Sequence, residues 1–273
     1  MANSRDVSIR TDLEYAAGDV GPLMGDLYLP AVAGAPVPLV IALHGGGWQA
    51  GDKTSFRHWG YRLAEAGFGV FAVRYRLVRK GVKAYPEALE DVRSALTFVR
   101  AECSALGIDG GRLGLFGISA GAHLAALAGL LDWHESNADQ KVKAVVAASG
   151  IFDLKAQWDY ELEARPRNNL VEKFLGVSPM ANRRLYFDAS PMSHVTHAAS
   201  RLAFLLAWGL QDDTVDPSQS VLFSRALGQA GFFSRSFVLP EAGHFWASDP
   251  IDEPHSLSAR FVPALLRFLG ERL

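Results

Sequence analysis

Apolar runs too continuous for a half-exposed sheet alternate along this chain with amphipathic, helix-spaced segments. "VPLVIALHG" (37–45), "GFGVFAVRYRL" (67–77), "RLGLFG" (112–117), "VKAVVAASG" (142–150) and "RLAFLLAWG" (201–209) read as strands buried on both faces. Between and after them, "SFRHWGYRLAEAG", "YPEALEDVRSALTFVRAECSALG", "SAGAHLAALAGLL", "SQSVLFSRALGQAG" and "SLSARFVPALLRFLGERL" have helical spacing. Gly67 and Gly107 stand where helices stop, and Pro86 where one starts. Strands that alternate with helices predict an α/β chain with a mostly parallel sheet covered on both faces. "DVSIRTDLEYAAG" and "PLMGDLYLP" add an opening antiparallel pair, and "SRSFVLP" a last strand. In such sheets functional groups gather at the carboxyl ends of the strands.

A chain of 273 residues with 49% hydrophobic content can bury one large core, so a single domain over 1–273 is expected. Residues 152–197 exceed what a crossover needs and carry Trp158, Tyr160, Phe174, Leu175, Met180, Tyr186 and Phe187. This segment is expected to form a small lid over the strand ends. The net charge of −2 comes without a basic stripe, which argues against nucleic acid or an acidic membrane as partner. The single cysteine, Cys103, excludes an internal disulfide and is expected to be a buried structural thiol. Without an apolar leader or a run of about 18 apolar residues, the expectation is a soluble, cytoplasmic protein.

Three consecutive glycines follow the strand "VPLVIALHG" in "HGGGWQAGDK". Glycine loses most freedom on folding, so the triplet implies a backbone that must turn sharply or approach something closely. Gly117-Ile118-Ser119-Ala120-Gly121 matches G-x-S-x-G between an apolar strand and an Ala-rich helix, the setting of a nucleophile elbow. A serine hydroxyl needs a base, and of the eight histidines His244, just past the last strand, is best placed; His255 is the competitor. The base needs a carboxylate, and "GLQDDTVDP" offers Asp212, Asp213 and Asp216. Asp216 precedes a helix and reads as its cap. The glycine triplet then answers the need of a tetrahedral intermediate for backbone N–H donors, together with Ala120 after the serine. Phosphate binding is a poor rival, because Asp52 interrupts the G-x-x-x-x-G-K-[ST] spacing before Lys53. No metal-ligand spacing is present, so no metal or cofactor is expected.

Taken together, "HGGGW", "GISAG", "WGLQDDTV" and "EAGHF", in that order, resemble the α/β-hydrolase superfamily in its HGGG-type esterase/lipase branch. "HGGGWQAGDK", "YPEALEDVRSAL" and "SAGAHLA" also look like acetyl-esterase-like carboxylesterases and kynurenine formamidases. The resemblance implies Ser119 as nucleophile, His244 as base and Asp212 as orienting carboxylate. Gly46, Gly47 and Ala120 would form the oxyanion hole, and Trp48 and Trp246 would wall a pocket for acyl chains of about two to six carbons. It implies a hydrolase of small-molecule esters, and walls as bulky as these two tryptophans and the 152–197 segment predict a preference for short acyl groups. An arylformamidase is the alternative, although Ile118 stands where resembling formamidases often carry histidine. A non-catalytic binding protein on the same fold is the second alternative.

Overall fold

The computed structural model describes residues 7–18, 21–31, 34–135 and 141–273. Residues 1–6, part of the stretch inspected for a leader, lie outside them. Eight strands form one sheet in the order β1-β2-β4-β3-β5-β6-β7-β8. The opening pair, β1 (Val7–Ala16) and β2 (Leu23–Pro30), is antiparallel, and β2 runs antiparallel to β4 (Gly69–Val73). The rest is parallel: β4, β3 (Val37–Leu43), β5 (Ile108–Ile118), β6 (Ala144–Ala148), β7 (Ala203–Gly209) and β8 (Ser234–Leu239).

Period-two alternation along the buried strands divides the core into two layers. Val40, Ala42, Val70, Phe116 and Val146 meet α1 (Arg57–Glu65) and α8 (Leu257–Arg272) through Trp59, Leu63, Phe261 and Phe268. Leu39, Ile41, Leu115 and Val145 face the other way, onto α2 (Glu87–Leu106), α3 (Ala120–Glu135) and α7 (Ser218–Gln229) through Val92, Leu96, Leu124, Leu127 and Phe223. Every residue of β3, β4, β6 and β7 is buried, as their unbroken apolar runs predict. Gly107 ends α2 in the left-handed region at φ 73°, and its N–H donates to the Cys103 carbonyl. Cys103 itself is only half-buried and packs against the core near the C-terminal end of α2.

Residues 152–197 fold into α4 (Leu154–Ala164), α5 (Leu170–Leu175), α6 (Arg183–Ala189) and a single-turn 3₁₀ segment (Pro191–His194), with a second such turn (His197–Ala199) starting at their end. Asp153, Asn169 and Asn182 accept hydrogen bonds from first-turn N–H groups and so cap α4, α5 and α6. No helix among the described residues is long and apolar enough to cross a membrane.

Candidate active site

At the end of β5 the chain reverses sharply into α3, and Ser119 occupies the turn at φ 55°. A left-handed backbone is unfavourable for a residue with a Cβ, by about 1–2 kcal/mol. Its neighbours hold it there. The Ser119 N–H donates to the Ala148 carbonyl at 2.8 Å. A Cβ on Gly117 would lie 2.1 Å from the Gly121 carbonyl oxygen, and one on Gly121 would lie 2.0 Å from that of Leu43. Only glycine lets β3, β5 and α3 approach this closely.

Two other strand ends deliver their groups to the same place. His244 follows β8 and starts a 3₁₀ turn spanning His244–Ser248; its Nε2 lies 2.8 Å from Ser119 Oγ. His244 Nδ1 lies 2.8 Å from Asp212 Oδ2, in the loop after β7. Asp212 Oδ1 accepts the N–H groups of Thr214 and Val215 at 3.0 and 2.9 Å, which anchors the carboxylate. An ionised carboxylate only accepts, so the proton sits on His244 Nδ1 and Nε2 is free to accept from the serine hydroxyl. The Asp213 carboxylate accepts the Thr214 hydroxyl and its carbonyl the Tyr160 hydroxyl, and Asp216 accepts the Ser218 N–H at the start of α7, acting as a cap.

The glycine loop after β3 completes the arrangement. A Cβ on Gly45 would meet the Ile118 carbonyl at 3.1 Å and Ser119 Cβ at 3.3 Å, so this loop packs directly on the elbow. Gly46 and Gly47 have φ of 115° and 58°. Among the described residues neither N–H of this pair donates to an acceptor within the chain, and the Ala120 N–H opens a helix, where it has no intrahelical partner. Lys53, which follows the glycine loop, instead turns to the buried Asp26 of β2 and to Asp12. That pairing removes it from any phosphate-binding role.

The match to the BD-FAE family model covers residues 25–227. The chain belongs to the BD-FAE family. Among relatives of this member, the probable carboxylic ester hydrolase LipM of Mycobacterium tuberculosis is 31% identical over 201 residues, covering 70% of this chain and 45% of that protein. A kynurenine formamidase of Danio rerio is 36% identical over 130 residues, covering 48% and 42%. The chain thus spans about half the length of the curated relatives it matches. A truncated form of a carbohydrate esterase from gut microbiota superposes with a TM-score of 0.81 at 21% identity, covering 99% of this chain and 98% of that one. The fold is that of the α/β-hydrolases.

In this family member a cavity of about 630 Å³ opens over Ser119 and His244. Its wall includes the glycine loop, Ile118, Ile151, Val215 and Phe245, and the 152–197 segment adds Gln157, Glu161, Arg165 and Leu170. Trp48 belongs to the wall, with its indole fully buried: it stacks on Phe174 at 4.5 Å and donates from Nε1 to His123 Nδ1 at 3.2 Å. Trp246 does not line the cavity. It points into the core against Phe261 and donates to Ser149 Oγ, while its neighbour Phe245 faces the cavity at 73% exposure. A 3₁₀ turn rotates successive side chains by about 120°, which exchanges the two aromatics relative to the expectation.

Two histidines inside the quoted motifs take roles that the motifs do not assign. His44 is buried and stacked on Tyr75 at 4.2 Å; its Nδ1–H donates to the Gly45 carbonyl, and the Tyr75 hydroxyl donates to the His44 carbonyl. Burial pushes the His44 imidazole below its usual pKa, so a neutral ring stiffens the loop. Burial also lowers His123 to about 4. Because His123 Nδ1 accepts from Trp48, its Nε2–H donates to the Ala189 carbonyl at 2.8 Å, tying the glycine loop to the end of α6.

Proposed function

We propose that this chain is a serine carboxylesterase acting on small, short-acyl esters. The carrying observation is the buried Ser119–His244–Asp212 chain, with both links at 2.8 Å, beside backbone N–H groups that have no partner among the described residues. Ser119 Oγ attacks the ester carbonyl as its proton passes to His244 Nε2. Asp212 holds the imidazole in the productive tautomer and stabilises the imidazolium. The N–H groups of Gly46, Gly47 and Ala120 receive the oxyanion. His244 then protonates the leaving alcohol, and water, deprotonated by the same ring, releases the acid from Ser119. The cavity volume is in the range of small-molecule sites, and α4 and α5 serve as its lid. The esterase names among the relatives support the reading, as does the presence of every group the chemistry requires.

The same machinery would cleave an N-formyl arylamine, and the formamidase relatives keep that reaction as the competitor. Assay of 4-nitrophenyl acetate and N-formylkynurenine side by side is expected to favour the ester. Ser119→Ala is expected to lower ester hydrolysis by about 10⁶ while shifting stability by about 1 kcal/mol or less. Substantial turnover in the Ser119→Ala variant would place the nucleophile elsewhere. Faster hydrolysis of dodecanoyl than of butanoyl esters would overturn the short-acyl assignment.

A further inference from the structure

Helix α4 presents Gln157 and Glu161 to the cavity, with Arg165 at its C-terminal end, at the i, i+4, i+8 spacing that places three side chains on one face. These groups differ in how well they are satisfied. Glu161 is fully engaged: it accepts the Leu170 and Val171 N–H groups on one oxygen and the Gln157 amide on the other. Gln157 is 1% exposed and donates its amide protons to Glu161 Oε1 at 3.2 Å and the Thr214 carbonyl at 3.0 Å. Two acceptors on that side fix the amide orientation, since a flip would set oxygen against oxygen. The buried Gln157 Oε1 then has no donor among the described residues. Native interiors rarely leave such an atom unpaired.

Arg165 is half-buried on the same wall, and among the described residues its guanidinium has no ion pair and no hydrogen bond. It acts on Glu161 only through space. Beyond Gln49, a residue shared with the cavity wall, a second groove is lined by Arg79, Lys80, Lys83 and Lys173, with Glu172 as its carboxylate. Glu172 already accepts from Trp158 Nε1. On a chain whose net charge is −2, this neighbouring groove is locally positive, whereas the cavity's own wall balances the charge of Arg165 with that of Glu161.

Resting on the serine-hydrolase reading above, we propose that the substrate is an ester bearing a carboxylate, bound by Arg165, and a hydroxyl that donates to Gln157 Oε1. A guanidinium forms paired hydrogen bonds with a carboxylate, and the orphaned amide oxygen is matched by a donor on the same ligand. The class is thus a short-acyl ester of a hydroxy acid that keeps a free hydroxyl, or an ester whose hydroxylated acyl half ends in a carboxylate.

Two matched sets of probes separate these sources. In the acyl set, 4-nitrophenyl hydrogen glutarate is compared with 4-nitrophenyl methyl glutarate. In the alcohol set, monoacetyl tartrate is compared with its dimethyl ester and with acetyl malate, which lacks the free hydroxyl; proton release reports hydrolysis. The parent is expected to prefer the charged probe at least tenfold in kcat/KM in one set, chiefly through KM. In that set Arg165→Gln should reduce the charged-to-neutral ratio at least tenfold, with Arg165→Lys intermediate. If the alcohol set responds, tartrate should exceed malate several-fold. A charged-to-neutral ratio unmoved by Arg165→Gln in both sets overturns the carboxylate assignment, and equal rates on tartrate and malate overturn the hydroxyl contact. A parent inert towards 4-nitrophenyl butanoate as well would instead refute the hydrolase reading on which this one stands.

Discussion

The strand-end loops and the 152–197 segment line one cavity but are held in place by different means. The loops are fixed through the backbone: positive φ at Gly46, Gly47, Trp48 and Ser119, and glycines with no room for a Cβ. The segment is fixed through side chains: Asp153, Asn169 and Asn182 cap its helices, and Glu161 on α4 receives the first N–H groups of α5. A region built through its backbone tolerates few substitutions and keeps reacting atoms in place. One built through replaceable side chains can vary its polar groups while the chemistry beneath stays the same.

The largest expected effect tests the loops. Asp212→Asn should reduce kcat by about 10⁴, because an amide facing Nδ1 favours the wrong imidazole tautomer, while circular dichroism and melting stay near the parent's. Asp213→Asn should remain active. An inactive Asp213→Asn beside a working Asp212→Asn would mean that the loop after β7 presents the other carboxylate.

Next comes the backbone itself. Gly121→Ala puts a methyl group 2.0 Å from the Leu43 carbonyl oxygen, so urea unfolding should register a loss of about 3 kcal/mol or more. A loss below about 1 kcal/mol would show that the elbow yields more easily than this packing implies.

His123 joins the two regions, and its effect depends on pH. Burial lowers its folded pKa to about 4 from an unfolded value near 6.5, so between these values the unfolded chain binds more protons than the folded one. Stability from the neutral ring is therefore complete above pH 6.5 and is lost as pH falls towards 4, by roughly 3 kcal/mol in all. Glu161, whose pKa burial raises, bends the profile in the opposite sense, so the test is a difference between proteins. The parent-minus-His123→Gln difference in unfolding free energy should shrink over this window. A pH-independent difference would contradict a buried neutral imidazole.

The smallest expected effect belongs to the segment. Asn169→Ala removes a cap from α5 and should cost about 1 kcal/mol, with hydrolysis of simple esters reduced far less than by Asp212→Asn. A loss of activity comparable to that of Asp212→Asn would erase the contrast between the two regions.

What the sequence made legible follows the same division. Buried parallel strands announce themselves as unbroken apolar runs, and a glycine where no Cβ fits is visible as a glycine. The elbow, the HGGG loop and the chain order of Ser119, Asp212 and His244 could therefore be read directly. The 152–197 segment showed only its length and bulk, because short capped helices have too little periodicity to reveal which face meets a cavity. Gln157, Glu161 and Arg165 were spaced at four residues throughout, but that spacing acquires meaning only once α4 is known to border the site. Trp246 shows the limit at the scale of one turn. Its nearness to His244 in sequence could not say which of two adjacent aromatics would enter the core.

Ser149 stands at the end of β6 much as Ser119 stands at the end of β5. Its φ is 49°, and its N–H donates to the Ala207 carbonyl of the adjacent strand as that of Ser119 donates to Ala148. The chain thus carries the same bend twice, yet Ser149 is 1% exposed and its hydroxyl accepts a hydrogen bond from the Trp246 indole, with no imidazole bonded to it among the described residues. A phosphonylating reagent is expected to modify Ser119 and leave Ser149 untouched. Chemoselectivity between these two serines is therefore decided by access and a proton acceptor, since the shape of the peptide is common to both.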